Sequence, residues 1–142
     1  MILVDSNMWC YYFDQRLPEH GYVLESMREV VKSEEIACNT VIAMEVAHYL
    51  IKHFPAGVAR RKISYFVNLR NLKIANFDRR MMAKAIGDLI EYAHPYGIGG
   101  RDATIIATLK SLRVKKILTH DDALKRLAIK LGFEAIDPIP AK

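Results

Sequence analysis

The sequence predicts an α/β fold: a three-layer α/β/α sandwich with a central parallel sheet of about four or five strands. Short apolar runs of strand length alternate with longer amphipathic runs of helical period. Such alternation needs crossover connections, and crossovers make neighbouring strands parallel. Helix-starting and turn-forming residues stand at most junctions, with no repeat, low-complexity tract or linker. One domain over residues 1–142 is expected.

The elements follow in order. Ile2–Val4 is a buried apolar strand. Asp5, Ser6 and Asn7 end it, and all three are good helix starters. An aromatic helix, MWCYYF, comes next, then a helix over 22–32 and a short strand over 35–38. Asn39 and Thr40 open a long helix, VIAMEVAHYLIKHF, which Pro55 and Gly57 end. A basic amphipathic helix over 58–69 leads to a strand over 72–77. A helix over 79–92 is broken by the loop HPYGIGG. Residues 101–112 are helical, Lys116–Leu118 a strand, 122–131 a helix, and Glu134–Ile136 a last strand before DPIP.

Composition narrows the function classes. Hydrophobic residues make up 51% and charged residues 26%, an ordinary globular balance. The run VIAMEVAHYLI carries Glu45 and His48, so it is no membrane span. The start, MILVDSN, lacks a basic n-region, and a cytoplasmic protein is expected. Cys10 and Cys38 have no metal-ligand spacing and read as reduced core thiols. The net charge is +5, which suits a polyanionic partner. Between Arg60 and Lys84 there are eight basic residues against the single acid Asp78. Within that stretch Arg60, Arg61 and Lys62 are candidates for an RNA backbone, alongside a plainer role on a solvated helix face.

Four carboxylates stand out. Asp5 ends the first strand, and Asp121, in LTHDDA, ends the fourth. A parallel sheet brings both ends to one edge, where such folds bind ligands. Glu45 shares a helix face with Val41 and Ile42, a costly position for a carboxylate without a partner or cation. Asp102 starts the apolar helix ATIIATL. Each aspartate is also an ordinary helix-starting residue. Together, crowded carboxylates call for a cation, and magnesium or manganese suits an all-oxygen set. Arg101 can clamp a phosphate or pair with an acid. His48, His53, His94 and His120 form no close metal-binding pair, although His120 stands among the acids. Asp14, Asp78, Asp88, Glu91 and Asp137 read as surface or capping residues. Trp9, Tyr11, Tyr12 and Phe13 fit packing better than stacking on bases.

In their order these motifs resemble the PIN domain, a metal-dependent ribonuclease fold that includes the VapC toxins of toxin–antitoxin pairs. The matching stretches are ILVDSN, TVIAMEVAHYL, GGRDATIIATL and KKILTHDDAL, spanning nearly the whole chain. The resemblance implies a catalytic, metal-binding set of Asp5, Glu45, Asp102 and Asp121. It implies supporting polar groups at Ser6 or Asn7 and at Thr119. The family commonly ends Thr, any residue, Asp, any residue, Asp, Phe. Here Ala123 takes the second Asp place and Leu124 the Phe place, while Asp122 comes one residue early. Asp122 therefore either helps the metal or caps the helix, and the cap is the simpler role.

The expectation is a magnesium- or manganese-dependent endoribonuclease that cuts RNA phosphodiester bonds, leaving a 3′-hydroxyl and a 5′-phosphate. The resemblance further implies a toxin, a small antitoxin partner and a homodimer. One rival is a non-catalytic RNA-binding or scaffold protein of the same fold. The other is a small aspartate-dependent phosphatase using Asp5, which usually carries a second Asp where this chain has Asn7.

Overall fold

A computed structural model describes residues 1–141, and Lys142 lies outside the described residues. In chain order the elements are β1 (Ile2–Val4), α1 (Ser6–Phe13), α2 (His20–Ser33), β2 (Ile36–Asn39), α3 (Thr40–His53) and α4 (Ala56–Val67). Then come β3 (Leu72–Ala75), α5 (Arg79–Tyr96), α6 (Gly100–Ser111), β4 (Lys116–Leu118), α7 (Asp122–Lys130) and β5 (Glu134–Ile136). The strands form one five-stranded sheet in the order β3-β2-β1-β4-β5, and every pair is parallel. The α/β/α prediction holds. Its fifth strand pairs Lys116 with Glu134 and Leu118 with Ile136.

The strand order sets the position of the site. From β1 the chain steps outward to β2 and β3, then returns to the other side of β1 as β4 and β5. The direction of winding therefore reverses between β1 and β4. Adjacent crossovers lie on opposite faces there and leave a crevice at the carboxyl ends. The helix contacts agree with two layers. α1 packs on α2 and α3, and α3 on α4, while α5 packs on α6 and α7.

The middle strands are buried on both sides, as such a sheet requires. Leu3, Val4, Ile36, Ala37, Cys38 and Ile117 are fully buried. Cys10 and Cys38 are both free thiols, and burial pushes each up to about 12. Trp9 is buried, its ring edge-on to Phe66 at 4.7 Å, so the aromatic stretch after β1 serves packing. Among the described residues no helix is long and apolar enough to cross a membrane.

Boundaries differ from the sequence reading in two informative places. β3 stops at Ala75, not at residue 77, because the Phe77 N–H donates to Thr40 Oγ1 at 3.0 Å and leaves the ladder. α5 runs on through Pro95 to Tyr96, past the break that the sequence predicts after 92. Proline in a last turn forfeits one backbone hydrogen bond, which the end of a helix tolerates better than its middle. Gly97 then ends the helix at φ 71°, donating its N–H to Ala93 O.

Candidate active site

Asp5 forms the floor of the crevice. It is fully buried, and each of its oxygens is occupied. Oδ1 accepts from the Ser6 N–H at 2.7 Å and from Arg101 Nη1 at 2.6 Å. Oδ2 accepts from Thr119 Oγ1 at 2.7 Å. Thr119, itself fully buried, also accepts from the Asp121 N–H at 3.1 Å. One hydroxyl therefore joins the end of β1 to the turn after β4. Ser6 Oγ stands 3.4 Å from both Asp5 Oδ1 and Arg101 Nη1.

The other two aspartates divide their labour by atom. Asp121 is the N-cap of α7: Oδ1 accepts from the Leu124 N–H at 2.8 Å, while Oδ2 lies 3.8 Å from Arg101 Nη2. Asp102 is in the first turn of α6: Oδ2 accepts from the Gly99 N–H at 3.2 Å, while Oδ1 lies 3.2 Å from Arg101 Nη2. The capping role and the cluster role are thus both real. One oxygen pins the carboxylate and the other turns into the crevice. Glu45 comes from α3, with Oε2 at 3.8 Å from Arg101 Nε. Asn39, the N-cap of that helix, anchors it: Oδ1 accepts from Ile42 N and Nδ2 donates to Thr108 Oγ1 of α6.

One guanidinium therefore touches all four acids. The sequence leaves Arg101 a choice between phosphate clamp and acid partner, and in the fold it partners the whole set. Exposure grades outward, from 0% for the Asp5 side chain and 10% for Asp102 to 32% for Asp121 and 36% for Glu45. Burial raises the pKa of Glu45; Arg101 opposes this, and Asp5 and Asp102 add to it. Burial likewise raises Asp102, with the Gly99 N–H opposing and Asp121 reinforcing. For Arg101 burial works the other way, but the surrounding carboxylates outweigh it and hold the guanidinium charged.

The remaining residues are placed as follows. Asn7 Oδ1 and Glu45 Oε1 are buried oxygens without a hydrogen-bond partner among the described residues. Asp122 is 84% exposed and pairs with Lys125 at 3.2 Å, so its side chain stands at the surface of α7. His120 turns from the acids. Its Nδ1 donates to Asp137 Oδ2 at 2.9 Å, and Lys125 meets the same oxygen at 2.6 Å. Arg60, Arg61 and Lys62 are not brought to the cluster. Lys62 Nζ lies over the Phe54 ring, and Phe54 is the C-cap of α3. That is nine residues past Glu45, about 14 Å along the helix axis. Asp78 caps α5 as expected. Asp14 and Asp88, read as surface or capping residues, are in fact buried, each against a basic partner.

The donor set fits a hard divalent ion in chemistry and charge. It is all oxygen, it carries four carboxylates against one cation, and Glu45 Oε1 is a buried acceptor awaiting a donor or ion. As placed around the guanidinium, no three acidic, histidine or cysteine side chains among the described residues converge as an ion would require.

A parallel sheet in the order 3-2-1-4-5 with carboxylates at its switch point defines a class of α/β protein with an acidic crevice. The PIN domain model matches residues 2–130, and the chain belongs to the PIN domain family. Solved structures of similar fold include VapC20 of Mycobacterium tuberculosis, a toxin that cleaves the sarcin–ricin loop. The identity is 12% and the TM-score 0.74, over 89% of this chain and 95% of that one. FitAcB of Neisseria gonorrhoeae is 18% identical with a TM-score of 0.71, over 97% of this chain and 98% of that one. VapBC2 of Rickettsia felis, bound to a promoter DNA fragment, is 17% identical with a TM-score of 0.70, over 96% and 98%. Comparison with curated protein sequences gave no match.

Proposed function

We propose that this PIN-family protein is a divalent-metal-dependent endoribonuclease and the toxin of a toxin–antitoxin pair. The observation that carries the reading is the gathering of Asp5, Glu45, Asp102 and Asp121 around the Arg101 guanidinium beside the carboxyl ends of β1 and β4. Those four residues would hold magnesium or manganese. When bound, the ion supplies an activated water and charge stabilisation at the phosphodiester. The chain's own groups do the rest. Thr119 and Ser6 fix the Asp5 carboxylate in orientation. The buried floor keeps bulk water from Asp5, while Asp121 and Glu45 stand at the open rim where RNA arrives. Asn39 holds α3, and so Glu45, against α6.

The toxin reading rests on the fold likeness to the VapC20 toxin and to a toxin–antitoxin complex of Klebsiella pneumoniae. It supplies a cytoplasmic setting, an antitoxin that covers the acidic crevice, and a homodimer. Protein partners are supported by an apolar row on α5, where Met82, Ile86 and Ile90 are exposed at helical spacing. We read residues 1–142 as one nuclease domain.

The test is cleavage of a pool of structured cellular RNAs with magnesium or manganese, with chelator, and with Asp5→Asn. Metal-dependent cuts with 5′-phosphate ends, lost in the variant while its fold is kept, are expected. A fully active Asp5→Asn protein would overturn the assignment. Normal growth of cells expressing the active chain would remove the toxin reading.

A further inference from the structure

Arg101 has a relation to the acid set that neither capping nor backbone guidance explains. Its three nitrogens reach four carboxylates: Nη1 to Asp5 at 2.6 Å, Nη2 to Asp102 at 3.2 Å and Asp121 at 3.8 Å, and Nε to Glu45 at 3.8 Å. These acids come from four different elements or junctions, yet one planar fork meets them all. The side chain is two-thirds buried, so these contacts are poorly screened. Burying several carboxylates without a cation is costly, and a guanidinium, weakly hydrated and always charged, is the side chain best able to meet that cost.

We propose that Arg101 is a built-in counter-cation that competes with the divalent ion for the same carboxylates. In the ion-free protein it keeps the four acids assembled. Both lone pairs of Asp5 Oδ1 are already taken, by the Ser6 N–H and by Arg101, and an ion on Asp102 Oδ1 would lie directly against the guanidinium charge. Loading therefore displaces Arg101. The displaced side chain is tethered at the mouth of the crevice, with its charge now unpaired beside the place where a phosphodiester enters. A phosphate offers it bidentate partners in exchange for the carboxylates it gave up. Substrate thus stabilises the displaced arginine, and by linkage RNA and metal tighten each other's binding. The acid cluster would be protected when empty and metal-loaded chiefly when RNA is present. This rests on the metal-nuclease reading above.

The experiment is calorimetric titration of the full chain with Mn2+, in the absence of RNA, for the unsubstituted protein, Arg101→Gln and Arg101→Lys, with thermal unfolding before and after addition. Arg101→Gln should bind Mn2+ about ten-fold more tightly, since a unit positive charge a few ångströms from a divalent ion opposes it even at water-like dielectric. Its Tm should fall without metal, from carboxylate repulsion, and recover with Mn2+ by more than the unsubstituted protein gains. Arg101→Lys keeps the charge but cannot span the set, and its affinity should lie between. A purely structural arginine would give lower stability and equal or weaker Mn2+ binding in both variants, and that result overturns the proposal. Absence of Mn2+ binding to all three proteins would instead strike at the nuclease reading itself, and the competition would fall with it. A Gln variant too unstable to titrate leaves the Lys variant, whose affinity must exceed that of the unsubstituted protein. Repeating the titration with Asp5→Asn, which removes a shared ligand, should weaken binding and locate the competition at this site.

Discussion

Asp14 shows how far one residue can depart from what its neighbours in sequence suggest. Its side chain is 3% exposed. It accepts from Arg16 Nε at 2.8 Å and from the Tyr49 hydroxyl at 2.7 Å, thirty-five residues away. The hydrogen bonds from Arg16 are the largest influence, and with Tyr49 they outweigh burial and hold the carboxyl well below the usual range. A depressed pKa means that the ionised form stabilises the fold. That stability is present above the ordinary carboxylate pKa and is lost as pH falls toward the depressed value. Asp14→Asn should therefore cost about 2 kcal/mol at neutral pH. Arg16 is mostly exposed, so screening trims its share, and Tyr49 and the backbone supply much of the cost. The cost should shrink in acid, so that the two proteins converge. Urea unfolding at neutral pH and again below the usual carboxylate range measures this. Parallel pH dependences would show that the charge contributes nothing. Nothing in the local sequence around Asp14 foretells Tyr49, just as nothing around Arg101 foretells Asp5, ninety-six residues away. The four carboxylates of the candidate site were legible only as a set, through their order along the chain, since each aspartate alone also reads as a helix starter. Pairing with an acid is one of two roles the sequence leaves open for Arg101, but its contact with all four is not legible, because packing between α6 and the strand ends decides it.

At the scale of elements, the junction of β2 and α3 carries the heaviest local demand. Asn39 is fully buried, ends the strand and caps the helix through Oδ1. With Nδ2 it also crosses to Thr108 at 2.9 Å on α6. Asn39→Ala removes a cap worth about 1 kcal/mol and the amide that donates to the Thr108 hydroxyl, which keeps its own hydrogen bond to Thr104 O at 2.8 Å, so a loss of about 1–2 kcal/mol is expected. Because α3 carries Glu45 and α6 carries Asp102, Mn2+ binding should weaken as well. Thermal unfolding and calorimetry on the same sample separate this from a cap effect, in which stability falls and metal affinity stays. The cap itself was readable in the sequence, as were the alternation of strands and helices and the burial of the middle strands. Periodicity and turn chemistry are local, and local signals survive without an alignment. The ends that moved were set by distant atoms. Thr40 Oγ1 claims the Phe77 N–H and shortens β3, and α5 continues through Pro95 to the left-handed Gly97.

For the whole molecule, the basic stretch between residues 60 and 84 looks like one patch in the sequence and is not one in space. Arg60, Arg61 and Lys62 belong to α4, which packs on α3, whereas Arg79, Arg80 and Lys84 belong to α5, which packs on α6. The sheet edge β3, with exposed Lys73, lies between them in the chain. Positive charge is thus divided between the two helix layers. If RNA is the substrate, as proposed, basic residues on both layers would help steer its backbone toward the molecule. Such binding must weaken with salt, because each phosphate contact releases counterions, with a slope of about 0.7 per contact for single strands. Replacing Arg60, Arg61 and Lys62 together by Gln should lower the slope of log affinity against log salt by about two. The four carboxylates are untouched, so Mn2+ affinity should not change. Fluorescence anisotropy of a labelled single-stranded RNA over a salt series, using Asp5→Asn to prevent cleavage, gives the slope directly. An unchanged slope would remove α4 from the RNA path and leave α5 as the guiding face, with Arg79, Arg80 and Lys84 the next residues to replace.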